Sequence, residues 1–253
     1  MNPAGDSPAI ELVGVSKSYG RHPAVVDLTL TIPRGELFAF LGPNGAGKTT
    51  TIKMIAGLLH PSAGEARVCG HVMNLNGTPA KAWMAYVPDL PYLYNKLTGR
   101  EFLDFVGQMY GLTPAQRNAS VDTLAERLDM RAFLDQLAET YSHGMKQKVA
   151  LCAALMHDPA VLVIDEPMVG LDPRTARAVK DLFRERTRAG MTVFMSTHTL
   201  EVAEAIADRI GILNKGRLAA LGTLGELKRR VQREHSLEDI FLNLTESTDE
   251  TVV

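Results

Sequence analysis

The chain has 253 residues, 45% of them hydrophobic, which is enough for one large or two closely joined domains with a substantial core. Its formal net charge of −2 leaves no electrostatic footprint for nucleic acid, so no nucleic-acid partner is expected. No apolar run approaches the ~20 residues of a bilayer-spanning helix and no signal peptide begins the chain, so a cytoplasmic protein that reaches a membrane only through a partner is expected.

Met1 to Pro8 is polar and carries Pro and Gly, and is expected to fray. Ile10 to Val15 alternates apolar and polar residues as a half-buried strand does. Lys17-Ser18-Tyr19-Gly20 follows. Tyr19, at a strand end before a glycine turn, could stack on a nucleotide base or simply pack there half-buried. Val25 to Ile32 alternates again, and Pro33-Arg34-Gly35-Glu36 turns the chain into Leu37–Leu41, a buried strand. Several strands before the first long helix imply a partly antiparallel β layer.

Gly42-Pro43-Asn44-Gly45-Ala46-Gly47-Lys48-Thr49-Thr50 then fits the phosphate-binding pattern G-x-x-x-x-G-K-[ST]. Its glycines let backbone N–H groups converge on one anion. Lys48 can reach β- and γ-phosphates, and the Thr49 hydroxyl can join the shell of a Mg²⁺ ion. A helix read from Thr50 to Ala56 adds its positive N-terminal end at the same place.

Leu59 to Gly64 breaks the chain; Glu65–Cys69 and Met84–Val87 read as short strands, and Pro88-Asp89-Leu90-Pro91 is a rigid turn holding a carboxylate. From Thr98 to about His157 the pattern is helical. Thr98 and Glu101 form a capping box, and Thr113-Pro114-Ala115-Gln116 opens a second helix similarly. Phe102, Phe105, Val106 and Met109 recur at helical spacing, as do Val121, Leu124, Ala125 and Leu128, and both stripes are expected to be core. This block reads as a helical subdomain inserted in an α/β core. Ser142 is a plausible N-cap for a helix bearing Met145, Val149, Cys152 and Met156 on one face. Cys69 and Cys152 lack metal-type spacing and suit a reducing compartment as buried thiols.

Val161–Ile164 is a doubly buried strand ending in Asp165-Glu166. Open α/β sheets place ligands at that edge, and unpaired charge there is costly without a purpose. One carboxylate can hold a Mg²⁺ shell while its neighbour orients and deprotonates a water. Gly170-Leu171-Asp172-Pro173 is a turn, and Thr192–Thr197 is a further buried strand ending in His198, which at the same edge could touch the γ-phosphate. Ala203 to Arg209 reads as helix, and Ile210–Asn214 pairs with Arg217–Ala220 as a hairpin across Lys215-Gly216. Lys228 to Arg233 is a basic helical run, read as a solvated face, and the chain from Thr245 is polar and expected to be disordered.

These residues, in this order and over nearly the whole chain, resemble the nucleotide-binding domains of ABC (ATP-binding cassette) ATPases. Gly42–Thr49 resembles Walker A and Val161–Glu166 Walker B. Ser142–Met145 stands where the Leu-Ser-Gly-Gly-Gln signature belongs, Gly170–Asp172 resembles the D-loop and His198 the switch histidine. Tyr19 matches the aromatic residue that stacks on adenine. The resemblance implies a P-loop NTPase (RecA-like) α/β core with an antiparallel β subdomain and an inserted helical subdomain. The implied division is a single unit over 1–253: core over 9–90 and 158–222, helical subdomain over 91–157, helical tail over 223–253. It implies ATP and Mg²⁺ as ligands, with Gly42 to Thr50, Asp89, Ser142 and Gly144 at ATP, and Thr49, Asp89 and Asp165 at the metal. Glu166 would be general base, assisted by His198 and Lys48. In this family two such subunits sandwich ATP between one Walker A and the other's signature, and drive a membrane permease from its cytoplasmic face.

Two positions depart from the pattern. The signature reads Tyr-Ser-His-Gly-Met, and Asp89 replaces the Q-loop glutamine, bringing a negative charge near the γ-phosphate. The signature, and the tail Ser236–Thr245 with Leu237, Ile240, Phe241 and Leu244 on one helical side, resemble exporter-type subunits of drug, antibiotic and polysaccharide systems. That apolar stripe is expected to pack on its own domain. A soluble ABC ATPase acting on a ribosome or DNA is the alternative, disfavoured by the single cassette and the absence of basic excess.

Overall fold

The computed structural model of the chain describes residues 7–74, 79–230 and 237–246. Its elements begin with β1 (Ile10–Tyr19), β2 (His22–Ile32), β3 (Leu37–Leu41), α1 (Lys48–Ile55), β4 (Ala63–Val68), β5 (His71–Val72) and β6 (Met84–Val87). A helical block follows: α2 (Gly99–Met109), α3 (Pro114–Arg127) and α4 (His143–Leu155). Then come β7 (Val161–Asp165), α5 (Pro173–Arg188), β8 (Thr192–Thr197), α6 (Leu200–Ile206), β9 (Arg209–Asn214) and β10 (Arg217–Gly222). Two helices, α7 (Leu224–Arg230) and α8 (Leu237–Glu246), close the described chain.

The strands form two sheets. One is antiparallel, in the order β2-β1-β4-β5; the other runs β10-β9-β3-β8-β7-β6. In the second sheet β9, β3, β8, β7 and β6 are mutually parallel, and β10 returns antiparallel to β9. The β9–β10 turn uses Lys215 at φ +46° and Gly216 at φ +78°, both left-handed, as a tight two-residue hairpin requires.

The period-two rule explains why β3, β7 and β8 carry almost unbroken apolar runs. Leu37, Ala39 and Leu41, with Leu162, Ile164, Val193 and Met195, face a core completed by helices α2 to α8. Phe38 and Phe40, with Val161, Val163 and Phe194, face the opposite core, shared with α1 and with Ile10, Leu12, Leu28 and Leu30 of the antiparallel sheet. Phe194 lies 5.6 Å from Phe38 and 5.4 Å from Phe40, ring centroid to centroid. The α/β core, the antiparallel layer and the helical insertion between β6 and β7 are therefore all present.

The parallel order has one consequence for function. The carboxyl ends of β3, β8, β7 and β6, adjacent in the sheet, release the chain side by side at Gly42, His198, Glu166 and Pro88.

Four expectations need correction. First, α1 starts at Lys48, two residues before the expected start, because the phosphate loop closes directly into the helix. Second, β1 runs on past Val15 to Tyr19, with register shifts between Leu12 and Ser18 that keep it paired to β2. Third, α6 ends at Ile206, and Arg209 already pairs with Phe38 as part of β9. Fourth, only half of the α2 stripe reaches the core: Phe102 and Val106 pack against it partly buried, whereas Phe105 and Met109 are exposed, the latter 73%, and the fully buried line is Gly99, Leu103 and Gly107. A Cβ on Gly107 would stand 2.6 Å from Arg117 Cδ and 2.8 Å from Met156 Cε, so α2 is pressed against α3 and the end of α4 through its glycines. Helical spacing weights side chains by hydrophobicity and is blind to a face that packs by having none.

Both capping boxes form as expected, at Thr98/Glu101 and Thr113/Gln116. Leu237 and Ile240 of α8 are buried, and Phe241 and Leu244 pack against the same core, so the tail stripe covers its own domain. Both cysteines are free and buried. Of the fraying expected over Met1 to Pro8, the basic helical run Lys228 to Arg233 and the disorder expected from Thr245, the parts before Ser7, beyond Arg230 and after Glu246 lie outside the described residues. Lys228 to Arg230 are helical in α7 as expected, whereas Thr245 and Glu246 still belong to α8. No described helix is long and apolar enough to cross a membrane.

Candidate active site

The shape of the loop between β3 and α1 is fixed from behind. A Cβ on Gly42 would stand 2.5 Å from the Leu213 carbonyl oxygen, and one on Gly47 2.3 Å from that of Ala24. Gly45 and Gly47 also sit at φ +80° and +107°, which glycine adopts freely. Ala46 N donates to Pro43 O at 3.1 Å, and Ala46 O accepts from Gly216 N at 3.0 Å, tying the loop to the β9–β10 hairpin. Gly47 then caps α1 without a side-chain acceptor, so the first turn presents N–H groups to an incoming anion.

Lys48 is 8% exposed, and its Nζ donates to Gly42 O at 2.5 Å and Pro43 O at 3.1 Å. Burial holds its ammonium below the ordinary lysine range, and the nearby carboxylates of Glu166 and Asp165 pull the other way. Thr49 Oγ1 donates to Asp165 Oδ2 at 3.0 Å, and the Ser196 hydroxyl donates to the other oxygen of this buried carboxylate. Glu166 leaves β7 at φ +49°, a strained value for a glutamate, with its N–H donating to Ser196 O at 3.0 Å. Its Oε2 accepts from Thr197 Oγ1 at 3.1 Å; its Oε1 accepts from His198 N at 3.0 Å and lies 2.7 Å from His198 Nδ1.

Asn44, Gly45, Gly47, Lys48, Thr49 and Thr50 of the loop, with Ala24, Asp89, Asp165 and Glu166, line a cleft of about 240 Å³. Tyr86, on β6 beneath it, has its phenol pushed up to about 12, first by burial and then by Asp165 and Asp89, so it stays neutral. A cavity of about 500 Å³ lies elsewhere, bounded by Trp83, His157 and Arg186 at the amino ends of β6, β7 and β8. The converging carboxylates and lysine are at the opposite edge, and we place the chemistry there.

The fold thus gathers the Walker-type residues, Asp89 and, through Glu166, His198. Tyr19 lies at the end of β1, half exposed and outside the cleft lining, with Lys17 Nζ 5.8 Å from its ring centroid. Ser142 and Gly144 are also outside the lining; Ser142 is exposed at the start of α4, its hydroxyl accepting from Met145 N at 3.3 Å. Sequence reasoning missed Ser196, Thr197 and Ala24. Two hydroxyls at the end of an otherwise apolar buried strand were the available signal for the first two.

Comparison with known proteins follows this geometry. Residues 25–169 match the family model described as ABC transporter. The chain is similar to the linearmycin resistance ATP-binding protein LnrL of Bacillus subtilis, 37% identical over 222 residues, covering 88% of this chain and 71% of that one. A solved ATP-binding subunit of an ABC transporter superposes with a TM-score of 0.87 at 35% identity, over 93% of this chain and 99% of that one. A dimeric post-hydrolysis ATP-binding cassette, bound to ADP and Pi, shares the fold with a TM-score of 0.78 at 24% identity, over 85% of this chain and 98% of that one.

Proposed function

The chain belongs to the ABC transporter family of ATPases, as an ATP-binding subunit, and we propose that it powers an exporter by hydrolysing ATP between two such subunits held beneath a membrane-spanning permease. The observation that carries this is the junction of Lys48, Thr49, Asp165 and Glu166 in one cleft at the carboxyl edge of the sheet.

In this reading the loop N–H groups and the N-terminus of α1 hold the phosphates, with Lys48 turning from Gly42 O toward the β- and γ-oxygens. Thr49, Asp165 and Asp89 are hard oxygen donors and fit Mg²⁺. Among the described residues no group of three or more His, Cys, Asp or Glu can hold a metal alone, so phosphate oxygens and water would complete the shell. The ion would neutralise charge developing on the phosphoryl oxygens. Glu166 takes the proton of the water whose oxygen attacks the γ-phosphorus, while the bond to the β–γ bridging oxygen breaks. His198, already at the Glu166 carboxylate, keeps it aimed and faces the γ-phosphate. Tyr19 stacks on the base. Ser142, Gly144 and the N-terminus of α4 close on the nucleotide of the second subunit, which their position outside their own cleft supports.

The word resistance in the name of LnrL supports export. The permease surface is read from exposed apolar side chains, Leu90, Tyr92 and Tyr94 in the segment after Asp89 and Phe105 and Met109 on α2. Tyr94 gathers Tyr92 and Phe105 at centroid distances of 6.0 and 5.8 Å, a contiguous patch of the kind that marks an interface.

Glu166→Gln tests the reaction. Turnover is expected to fall at least about a hundredfold with ATP binding retained, and an ATP-bound dimer to accumulate in gel filtration. Unchanged turnover would remove Glu166 from the role of base.

A further inference from the structure

The loop that begins with Glu166 is gripped by the helix that begins with Ser142. From Glu166 to Leu171 the chain makes two successive turns, Val169 N to Glu166 O and Leu171 N to Met168 O, both at 3.3 Å. It then reaches Asp172, the N-cap of α5. The first turn of α4 packs on this segment backbone to backbone: a Cβ on Gly144 would stand 2.2 Å from the Gly170 carbonyl oxygen. From the other side, a Cβ on Gly170, itself at φ +77°, would stand 2.5 Å from His143 Cδ2. One turn later the buried stem of Lys148 carries its ammonium to 3.8 Å from Asp172 Oδ2. Three consecutive contacts therefore run from α4 along the loop, and neither partner can shift without displacing the other.

His143 stands where the family signature has glycine. Its Nε2 is buried with no hydrogen-bond partner among the described residues, an arrangement that loses hydration and gains nothing polar in return. The ring is therefore held by its shape against Gly170.

We propose that His143, seconded by Lys148, is a positioning residue for Glu166: it holds the 166–172 loop, and through it the backbone from which the carboxylate projects. This rests on the reading of Glu166 as base.

The test uses the full chain, with ATPase kinetics, binding of a fluorescent ATP analogue and thermal melting measured in parallel. His143→Gly is expected to lower kcat about tenfold, as a small misplacement of a catalytic group does, with KM and analogue affinity within about twofold. His143→Phe keeps the ring without its nitrogens and is expected to retain at least half the wild-type kcat. Lys148→Met is expected to lower kcat in the same direction and carries the test should His143→Gly fail to fold. Unchanged kcat in both His143→Gly and Lys148→Met, or a His143→Phe chain as slow as His143→Gly, overturns the inference. Wild-type turnover in Glu166→Gln overturns the base assignment and this inference together. Loss in Glu166→Gln with unchanged kcat in the other two sinks this inference alone.

Discussion

Glu166 shows how much of a residue's environment lies outside its own motif. Two of the groups that hold its carboxylate, Thr197 and His198, come from the end of β8, and its N–H is taken by Ser196 of the same strand. The pair Asp165-Glu166 was legible because two carboxylates after four apolar β-formers have no cheap structural explanation. Of its partners His198 was expected at the same edge, but Ser196 and Thr197 were not, because they are set by the parallel register that puts Asp165 beside Ser196. Asp89 stands where the family resembled by this sequence has glutamine. It lines the cleft with Asp165 and Glu166, adding a negative charge against which Lys48 is the one cation in the lining. Asp89→Gln is therefore expected to tighten ATP binding in the absence of Mg²⁺ by about threefold, the size of one partly solvated charge pair. The gain should shrink as salt is raised, because the pair is screened. Equilibrium binding of a fluorescent analogue at two ionic strengths measures it; equal affinities at low salt would mean that Asp89 does not face the phosphates.

At the scale of the element, what the chain announces locally it also builds. Thr98 with Glu101 and Thr113 with Gln116 close their capping boxes because both partners lie within one turn. The orientation of α2 was not legible, since Gly99 and Gly107 mark its buried face only once Tyr141 and Arg117 are seen against them. Helix α5 offers a measurable cap. Asp172 accepts from Thr175 Oγ1 at 2.6 Å and Thr175 N at 3.0 Å, and these bonds, with Lys148 nearby, bring its carboxyl down to about 2. The folded value lies below the usual carboxylate value near ~3.9, so the ionised form is the stabilising one. Its contribution is complete above about pH 4 and is lost as pH falls toward about 2. The difference in melting temperature between wild type and Asp172→Asn should accordingly be constant from pH 7 to about 4 and fade below it. A difference that persists to pH 2 would assign the effect to shape and not to charge.

For the molecule as a whole, the candidate cleft and the route to the helical block share one edge of the central sheet. The cleft opens where four parallel strands end, and the first loop beyond β6 leads at once to the exposed aromatic surface of the helical block. A variant carrying Tyr92→Ser and Phe105→Ser should stay folded, with soluble ATPase close to the wild type, since Tyr92 is largely exposed and Phe105 lies outside the buried core. It should fail to co-purify with a membrane permease that retains the wild-type chain; retention of the variant would move the docking surface elsewhere. The glycine-backed phosphate loop has a further consequence. Its carbonyl buttresses at Leu213 and Ala24 belong to two different strands that are already folded around it. A cradle backed in this way has little backbone freedom left to surrender on capture of an anion, so association is governed by encounter and desolvation.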